Sequence, residues 1–535
     1  MHRFIIAISS LFFFLSGCSD APERVVVQSE SVSDLRINIG ENPNTLDPRK
    51  ARSLCDKTLM NMLYEGLTRI NKDEIAEPAL AHVIEISEDL KTYTFYLRKA
   101  KWSNGEFIRA SDFVYSWKKS LDPKFPCPLA AHLYPIKNAE AIKQGRLPVN
   151  ALGVEALDEL TLRVYLEQPT PYFLDLTAFH VYFPICESFD RLNPQWSEKG
   201  IYVGCGPFEL KQWKHNYELA VVKNESYWDA ISVQLSKINM YMVKEQTELQ
   251  MFEKKELDWI GSPLSNIPIE ALASFDQLGS LSSQPMLGTY FLRVNTTSFP
   301  LQNKNIRKAL ALAINRQLIV EHILQGNHSC AKSLVPSALH LHRSEDFQDH
   351  DLLQAQYLFA KGLEELKIQR KDLKPLTILF PNNDRNHLLS QALQYQWHHA
   401  LGIEVETRMV EKKIYFDMLS KCQYDMAGSS WIADFKDPVN FLDLFKSKTS
   451  PLNNTGWEDD QYIQLLEASS LTLDPIERQR LLSQCEEILM KDMPIIPLFF
   501  HHMIFAKHNH LKDIAISSLG NLEFKWAYVE NKDIQ

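Results

Sequence analysis

Tyr93-Thr94-Phe95-Tyr96-Leu97-Arg98, followed by Ser103-Asn104-Gly105 and then by Ala110-Ser111-Asp112-Phe113-Val114-Tyr115-Ser116-Trp117, is the stretch on which the fold reading turns. The first segment is dense in aromatic and β-branched residues and predicts a strand. Asn-Gly after it marks a turn. Ser111 or Asp112 then offers a side-chain oxygen to cap a helix running through Val114, Tyr115 and Trp117.

The same alternation continues outward in both directions. Apolar and polar residues alternate over 35–39 and 160–166, as in half-buried strands. Two strands over 208–222 flank a turn at His215-Asn216, and further strands are predicted at 238–243, 290–295, 376–380, 403–406 and 494–500. Helical spacing marks 59–67, 245–255, 306–324, 387–401 and 476–490, the third of these strongly amphipathic. Strands alternating with helices throughout predict an α/β protein with mixed sheets. No fixed repeat and no long Gly/Ser linker interrupts the pattern, so its domains are expected to pack closely.

The first residues stand apart from this pattern. Met1-His2-Arg3 precede an almost unbroken apolar run over 4–15, shorter than the ~20 residues that a spanning helix needs. A short apolar core before small residues is the pattern of a signal peptide. Leu15-Ser16-Gly17-Cys18 resembles a lipobox, which implies cleavage before Cys18 and a lipid anchor on its sulfur. The polar stretch 19–34 then serves as a tether.

The rest of the 535 residues is long enough for several domains. Hydrophobic residues make up 45% and charged residues 23%, an ordinary soluble composition. No later apolar run is long enough to span a bilayer. A net charge of −10 lacks the basic footprint that nucleic acid requires.

Cysteine is sparse and shows no C-x-x-C pair, so neither a zinc nor a redox site is expected. Beyond Cys18 there are Cys55, Cys127, Cys186, Cys205, Cys330, Cys422 and Cys485, an odd number, so not all can pair within the chain. Neighbouring histidines (340 and 342, 398 and 399, 501 and 502, 508 and 510) read as surface residues rather than metal ligands. No Gly-rich phosphate loop, G-x-S-x-G elbow or H-E-x-x-H occurs. Nothing local supports catalysis, a cofactor or a metal. Tyr115, Trp117, Tyr290, Trp397 and Trp431 are candidate pocket aromatics.

Taken together the segments resemble a family. Thr45-Leu46-Asp47-Pro48, Tyr64-Glu65-Gly66-Leu67, Ala76-Glu77-Pro78-Ala79-Leu80-Ala81, the stretch quoted first, Gly204-Cys205-Gly206-Pro207-Phe208, Asn224-Glu225-Ser226-Tyr227-Trp228-Asp229, Ile306-Arg307-Lys308-Ala309-Leu310 and Trp431-Ile432-Ala433-Asp434-Phe435 with Pro438 occur in order. This set is similar to extracellular solute-binding proteins of the peptide/nickel class of ABC importers, family 5, and most like their periplasmic oligopeptide-binding branch. The resemblance spans about 35–505.

It implies a periplasmic-binding-protein-like bilobal fold with the ligand cleft between the lobes. Lobe I would combine 35–64, 185–287 and 503–535, an inserted domain would cover 65–184, and lobe II would be 288–502. It also implies a lipid-anchored periplasmic monomer that is not an enzyme. Its partners would be a peptide ligand, an ABC permease with its ATPase subunits and the membrane. A nickel chelate, haem or sugar is the alternative ligand, and an interaction lipoprotein without transport is the alternative role.

The resemblance also places a site. Asp434 matches an aspartate that pairs with a ligand α-ammonium. Ser53, Leu54 and Cys55, with Ser430, Trp431 and Ile432, match segments whose backbone pairs with an extended peptide, and Trp431 and Tyr115 match pocket aromatics. Two pocket glutamates of oligopeptide binders correspond to Arg52 and Arg293, which would receive carboxylates bidentately and favour acidic peptides or muropeptides. Basic residues that receive peptide carboxylates correspond to Gly428, Leu419 and Leu324, and His387 alone matches a kept basic position. A disulfide-forming pair corresponds to Gly288 and Ile432, so that bridge should be absent.

Overall fold

The computed structural model describes residues 34–197, 200–325, 328–339 and 347–530. The signal segment, Cys18 and the tether up to residue 33 lie outside the described residues, as do His340 and His342.

Three sheets of four or more strands organise the described residues. In Asp34–Asn38, Leu35 and Ile37 are fully buried while Asp34 and Arg36 are not, the period-two pattern of a strand with one face in a core. This strand pairs in parallel with Lys237–Tyr241, and the sheet continues antiparallel through Glu218–Lys223 to Phe208–Lys214. Between the first strand and these partners the chain builds a second, antiparallel sheet in the order Ala81–Ile86, Thr92–Leu97, Thr161–Tyr165, Val154–Ala156. Phe95, Leu162 and Val164 share one buried core with Phe113 and Trp117 of the helix Ala110–Leu121.

The third sheet is the largest and is mixed. Its order is Trp259–Gly261, Ile495–Lys507, Leu281–Val294, Met426–Ile432, Leu376–Pro381, Val405–Val410, and Ser329–Cys330 adds to the strand Ile495–Lys507. The last two strands and Met426–Ile432 run parallel; the pairs nearer the start of that order are antiparallel. Helices Lys304–Leu312 and Asp384–Leu401 share its core around Trp397, whose Nε1 donates to the Leu310 carbonyl at 2.8 Å.

Two strands run much further than the periodicity suggests. Leu281–Val294 and Ile495–Lys507 pair over 281–285 with 502–506, and again over 289–293 with 495–500, with the ladder interrupted between. Leu281, Ser282, Ser283 and Gln284 carry too little apolar character to read as strand, yet the partner strand holds them in one.

The continuous helix expected over 306–324 is also corrected. It is Lys304–Leu312, then Arg316–Ile319 capped by Asn315, whose Oδ1 accepts from the Leu318 N–H at 3.0 Å, then a π turn Val320–Leu324. The helix read at 59–67 is Leu54–Leu63. It ends where the backbone of Tyr64 turns extended (φ −131°, ψ 170°), and Gly66 beyond it packs so closely that a Cβ would lie 2.5 Å from the Thr177 carbonyl oxygen.

The acids of the quoted motifs act as fasteners. Glu65, fully buried, accepts from Arg69 Nε at 2.5 Å, from Trp228 Nε1 at 3.3 Å and from the Tyr227 hydroxyl, while Arg69 also reaches Glu523. Asp47 and Asp190 each pair with Arg49 at 2.8 Å. Asp112 is the third residue of its helix rather than the cap, and its Oδ2 accepts from the Arg109 N–H at 2.9 Å.

Candidate functional site

A cavity of about 900 Å³ lies between two walls. One wall is made by Arg52, by Glu245 and Gln246 of the helix Glu245–Glu253, and by 266–270. The other belongs to the large sheet and its helices, including Tyr290, Arg293, Arg385, Tyr415 and 428–431. A compartment of about 190 Å³ adjoins it and shares Asn266, Ile267, Ile269, Arg385 and His501 with it.

The strand Met426–Ile432 borders both spaces. One edge is fully paired to Leu281–Val294, with Gly288 opposite Ile432 and Tyr290 opposite Ser430. The other edge pairs with Leu376–Pro381 only at Met426 and Ala427. From Gly428 onward that edge has no strand partner among the described residues, and 428–431 line the cavity. Gly428 is required here, because a Cβ would collide with the Phe380 ring and the Tyr290 hydroxyl.

Of the site residues named from sequence, Arg52, Arg293, Ser430 and Trp431 line the large cavity, and Leu54 and Ile432 line the compartment. Ser430 Oγ lies 2.6 Å from His501 Nε2, and Trp431 Nε1 donates to Asn440 Oδ1 at 2.9 Å. Ser53 caps the helix Leu54–Leu63 in a capping box with Asp56. Cys55, one residue into the first turn, is buried, and burial pushes its thiol up to about 12. All seven cysteines of the described residues are free. Among the described residues no group of three or more His, Cys, Asp or Glu side chains is arranged to hold a metal ion.

Arg293 is 5% exposed. Its Nε donates to Ser429 Oγ at 3.1 Å and its Nη1 to the Leu452 and Asn453 carbonyls at 2.7 and 2.5 Å. No carboxylate of the described residues pairs with it, and burial pulls its pKa down. Arg52 is exposed on the opposite wall, also without an ion-pair partner among the described residues.

Asp434 lies off the large cavity, in a small space of about 40 Å³ shared with Lys57, Asp175 and Phe179. His132 Nε2 sits 3.0 Å from its carboxylate. Burial pushes this carboxyl up, but the His132 hydrogen bond and the charges of His132 and Lys57 more than offset it, leaving its pKa below the ordinary value. Lys57 is 8% exposed, and burial draws its amine down to about 8.

Two expectations take a different place. Tyr115 lines neither the cavity nor the compartment; its hydroxyl donates to Asp190 at 2.6 Å, so it belongs to the Arg49 network. His387 points away from the cavity, its Nε2 2.8 Å from Asn382 Oδ1. Two residues earlier on the same helix, Arg385 lines both spaces. Residues two apart on a helix point roughly 200° apart, so two positions separate a surface residue from a site residue. Of the candidate aromatics, Tyr290 and Trp431 line the cavity, whereas Trp117 and Trp397 are buried in cores.

The model of the bacterial extracellular solute-binding proteins, family 5, Middle region, matches residues 76–453. The oligopeptide-binding protein OppA of Bacillus subtilis (strain 168) is 37% identical over 536 residues, covering 99% of this chain and 98% of that protein. The periplasmic murein peptide-binding protein MppA of Escherichia coli (strain K12) is 30% identical over 500 residues, covering 91% and 90%. The crystal structure of Haemophilus influenzae OppA in complex with RPPGFSPFR superposes with a TM-score of 0.79 at 26% identity, covering 94% of this chain and all of that one.

Proposed function

The chain belongs to the bacterial extracellular solute-binding proteins of family 5, and from that premise we propose that it captures oligopeptides in the cleft of its bilobal fold and delivers them to an ABC permease and its ATPase subunits. The observation that carries this reading is the unpaired edge of Met426–Ile432 along the cavity. An extended peptide laid on that edge adds a strand, and main-chain hydrogen bonds of that kind accept many side chains. The relatives' printed names, an oligopeptide binder and a murein peptide binder, point the same way.

In this reading Asp434 receives the ligand ammonium beyond Ile432, taking it in place of His132. Arg52 and Arg293 meet ligand carboxylates from opposite walls, which favours acidic peptides and muropeptides. Arg293 supports this because a buried cation without a counter-charge gains when an anion arrives. The first lobe comprises 35–64, 185–287 and 503–535, the second 288–502, and 65–184 is the inserted domain. The motif Leu15-Ser16-Gly17-Cys18 supports a lipid anchor at Cys18 that holds a monomer at the periplasmic face of a membrane. No catalytic step enters.

The test is native mass spectrometry of the purified chain, followed by sequencing of what leaves with it. Small peptides, acidic ones above all, are the expected result. A metal chelate, a haem, a sugar, or a site that stays empty against peptide libraries overturns the reading.

A further inference from the structure

The His132 ring is fixed at both nitrogens and on one face. It sits in the short turn Ala130–Leu133 with its side chain 12% exposed, stacked on Phe179 with ring centroids 4.9 Å apart. Its Nδ1 lies 3.3 Å from the Leu129 carbonyl oxygen and its Nε2 3.0 Å from Asp434 Oδ2. Asp434 is ionised, as the pull of His132 and Lys57 on its pKa requires. A carbonyl and a carboxylate only accept hydrogen bonds, so both ring nitrogens donate and the ring is an imidazolium.

Charges around this ring pair off. Lys57 and Arg69 share the small space with Glu65 and Glu523, and His132 faces Asp434. His180 adds nothing: burial draws it down to about 4, so it is neutral near pH 7. The Tyr182 hydroxyl donates to the His132 carbonyl and carries no charge. Asp175, on the helix Phe173–Thr177, is pushed up to about 6 by burial and by Asp437, and is the other nearby group that titrates close to neutrality. The backbone at Asp434 is pinned by its neighbours, since Phe435 stacks on Tyr172 at 4.2 Å and Lys436 Nζ lies 3.4 Å from Glu74. A ligand ammonium therefore meets this carboxylate beside His132, in a space of 40 Å³ with room for about two or three waters. Two cations facing one carboxylate there leave a charge unpaired.

We propose that capture of a peptide at Asp434 exchanges a proton for an ammonium: His132 gives its Nε2 proton to solvent as the ligand ammonium arrives, and the neutral ring becomes a second acceptor beside Asp434. Nδ1 keeps its hydrogen and its bond to Leu129, which leaves the lone pair on Nε2. The proposal rests on the reading of Asp434 as ammonium acceptor and adds its regulation. Protons compete with the ligand, so binding weakens as pH falls.

The test is titration calorimetry of the parent chain with alanine peptides of three to six residues at about pH 6, in two buffers of different ionisation enthalpy, which counts the protons released. The peptide amine is fully protonated in solution at that pH and releases none of its own. About one proton should leave per peptide bound, and affinity should rise about 5- to 10-fold from about pH 5.5 to about pH 6.5. His132→Gln keeps a donor for Asp434 but has no proton to give, so release should fall close to zero and the affinity change to within about twofold. Asp175→Asn should still release the proton. Binding by the parent without release overturns the proposal without recourse to any variant, as does release that survives in His132→Gln or vanishes in Asp175→Asn. If the parent binds no peptide of the ladder at either pH, the peptide reading itself fails and this proposal falls with it.

Discussion

Glu248 is 1% exposed and has no cationic partner among the described residues. It lies on the helix beside the cavity and accepts from Ser265 Oγ at 2.6 Å and from Asn38 Nδ2 at 2.8 Å. Burial outweighs both bonds and pushes its carboxyl up from 4.5 to about 7. An acid raised in this way keeps its proton in the folded chain at pH values where the unfolded chain has lost it. Between the two pKa values the folded state binds more protons, so stability falls as pH rises. Each pH unit costs about 1.4 kcal/mol, and the whole interval about 3 kcal/mol.

Glu248→Gln carries no such proton. Its amide nitrogen cannot accept, so one hydrogen bond is lost at every pH, a constant offset of about 1 kcal/mol. The slope is what discriminates. In urea unfolding at about pH 5 and about pH 8, the variant should gain roughly 2–3 kcal/mol on the parent between the two conditions. A stability difference that is the same at both pH values refutes the account of Glu248 as a buried, unpaired acid.

Three further outcomes are expected. Glu65→Ala leaves Arg69 buried with half its counter-charge and should cost about 3–5 kcal/mol in urea unfolding; a loss below about 1 kcal/mol contradicts its role as a fastener. Gly428→Ala forces the Phe380 ring or the strand to move and should destabilise by about 1–3 kcal/mol, visible as a lower Tm, whereas an unchanged Tm means that the wall is not close-packed there. Asp434→Asn should weaken a free-amine peptide about 10- to 100-fold while leaving its N-acetylated twin unaffected. Equal losses for both peptides remove Asp434 from the role of ammonium acceptor.

The elements legible from sequence were those whose periodicity matches their burial. The strand beginning at Leu35 and the helix carrying Phe113 and Trp117 lie where alternation and apolar spacing put them. Periodicity failed where tertiary partners decide. One helix ends at Leu312 and Asn315 caps the start of another inside a single apolar pattern, and Ser282 and Ser283 are strand only because 502–506 lie beside them. The site divides in the same way. Motif matching found the strand with Ser430 and Trp431 because local sequence there is distinctive. Arg385 carried no signal, since an arginine in the first turn of a helix reads as solvated; only the fold reveals that its neighbours are a cavity and two neutral histidines. Tyr115 read as a pocket aromatic because nothing in the local sequence reveals an aspartate seventy-five positions on.

The two long strands that pass beneath the cavity have a mechanical consequence. They are bonded to each other on both sides of a short gap at 286–288 and 501. Sliding one along the other breaks every rung between them, whereas a bend at the gap breaks none of those rungs and strains only the bonds of Leu287 to Ser518 and Ala433 and the pairing of Gly288 with Ile432. Movement of the walls about this point is thereby favoured as a swing over a slide, like a door on its pin. Gly288 sits on that pin, with space for a Cβ only 3.1 Å from the His501 ring and the Ile432 side chain. A larger residue at Gly288 would act as a doorstop, limiting how far the walls approach without contacting anything held between them.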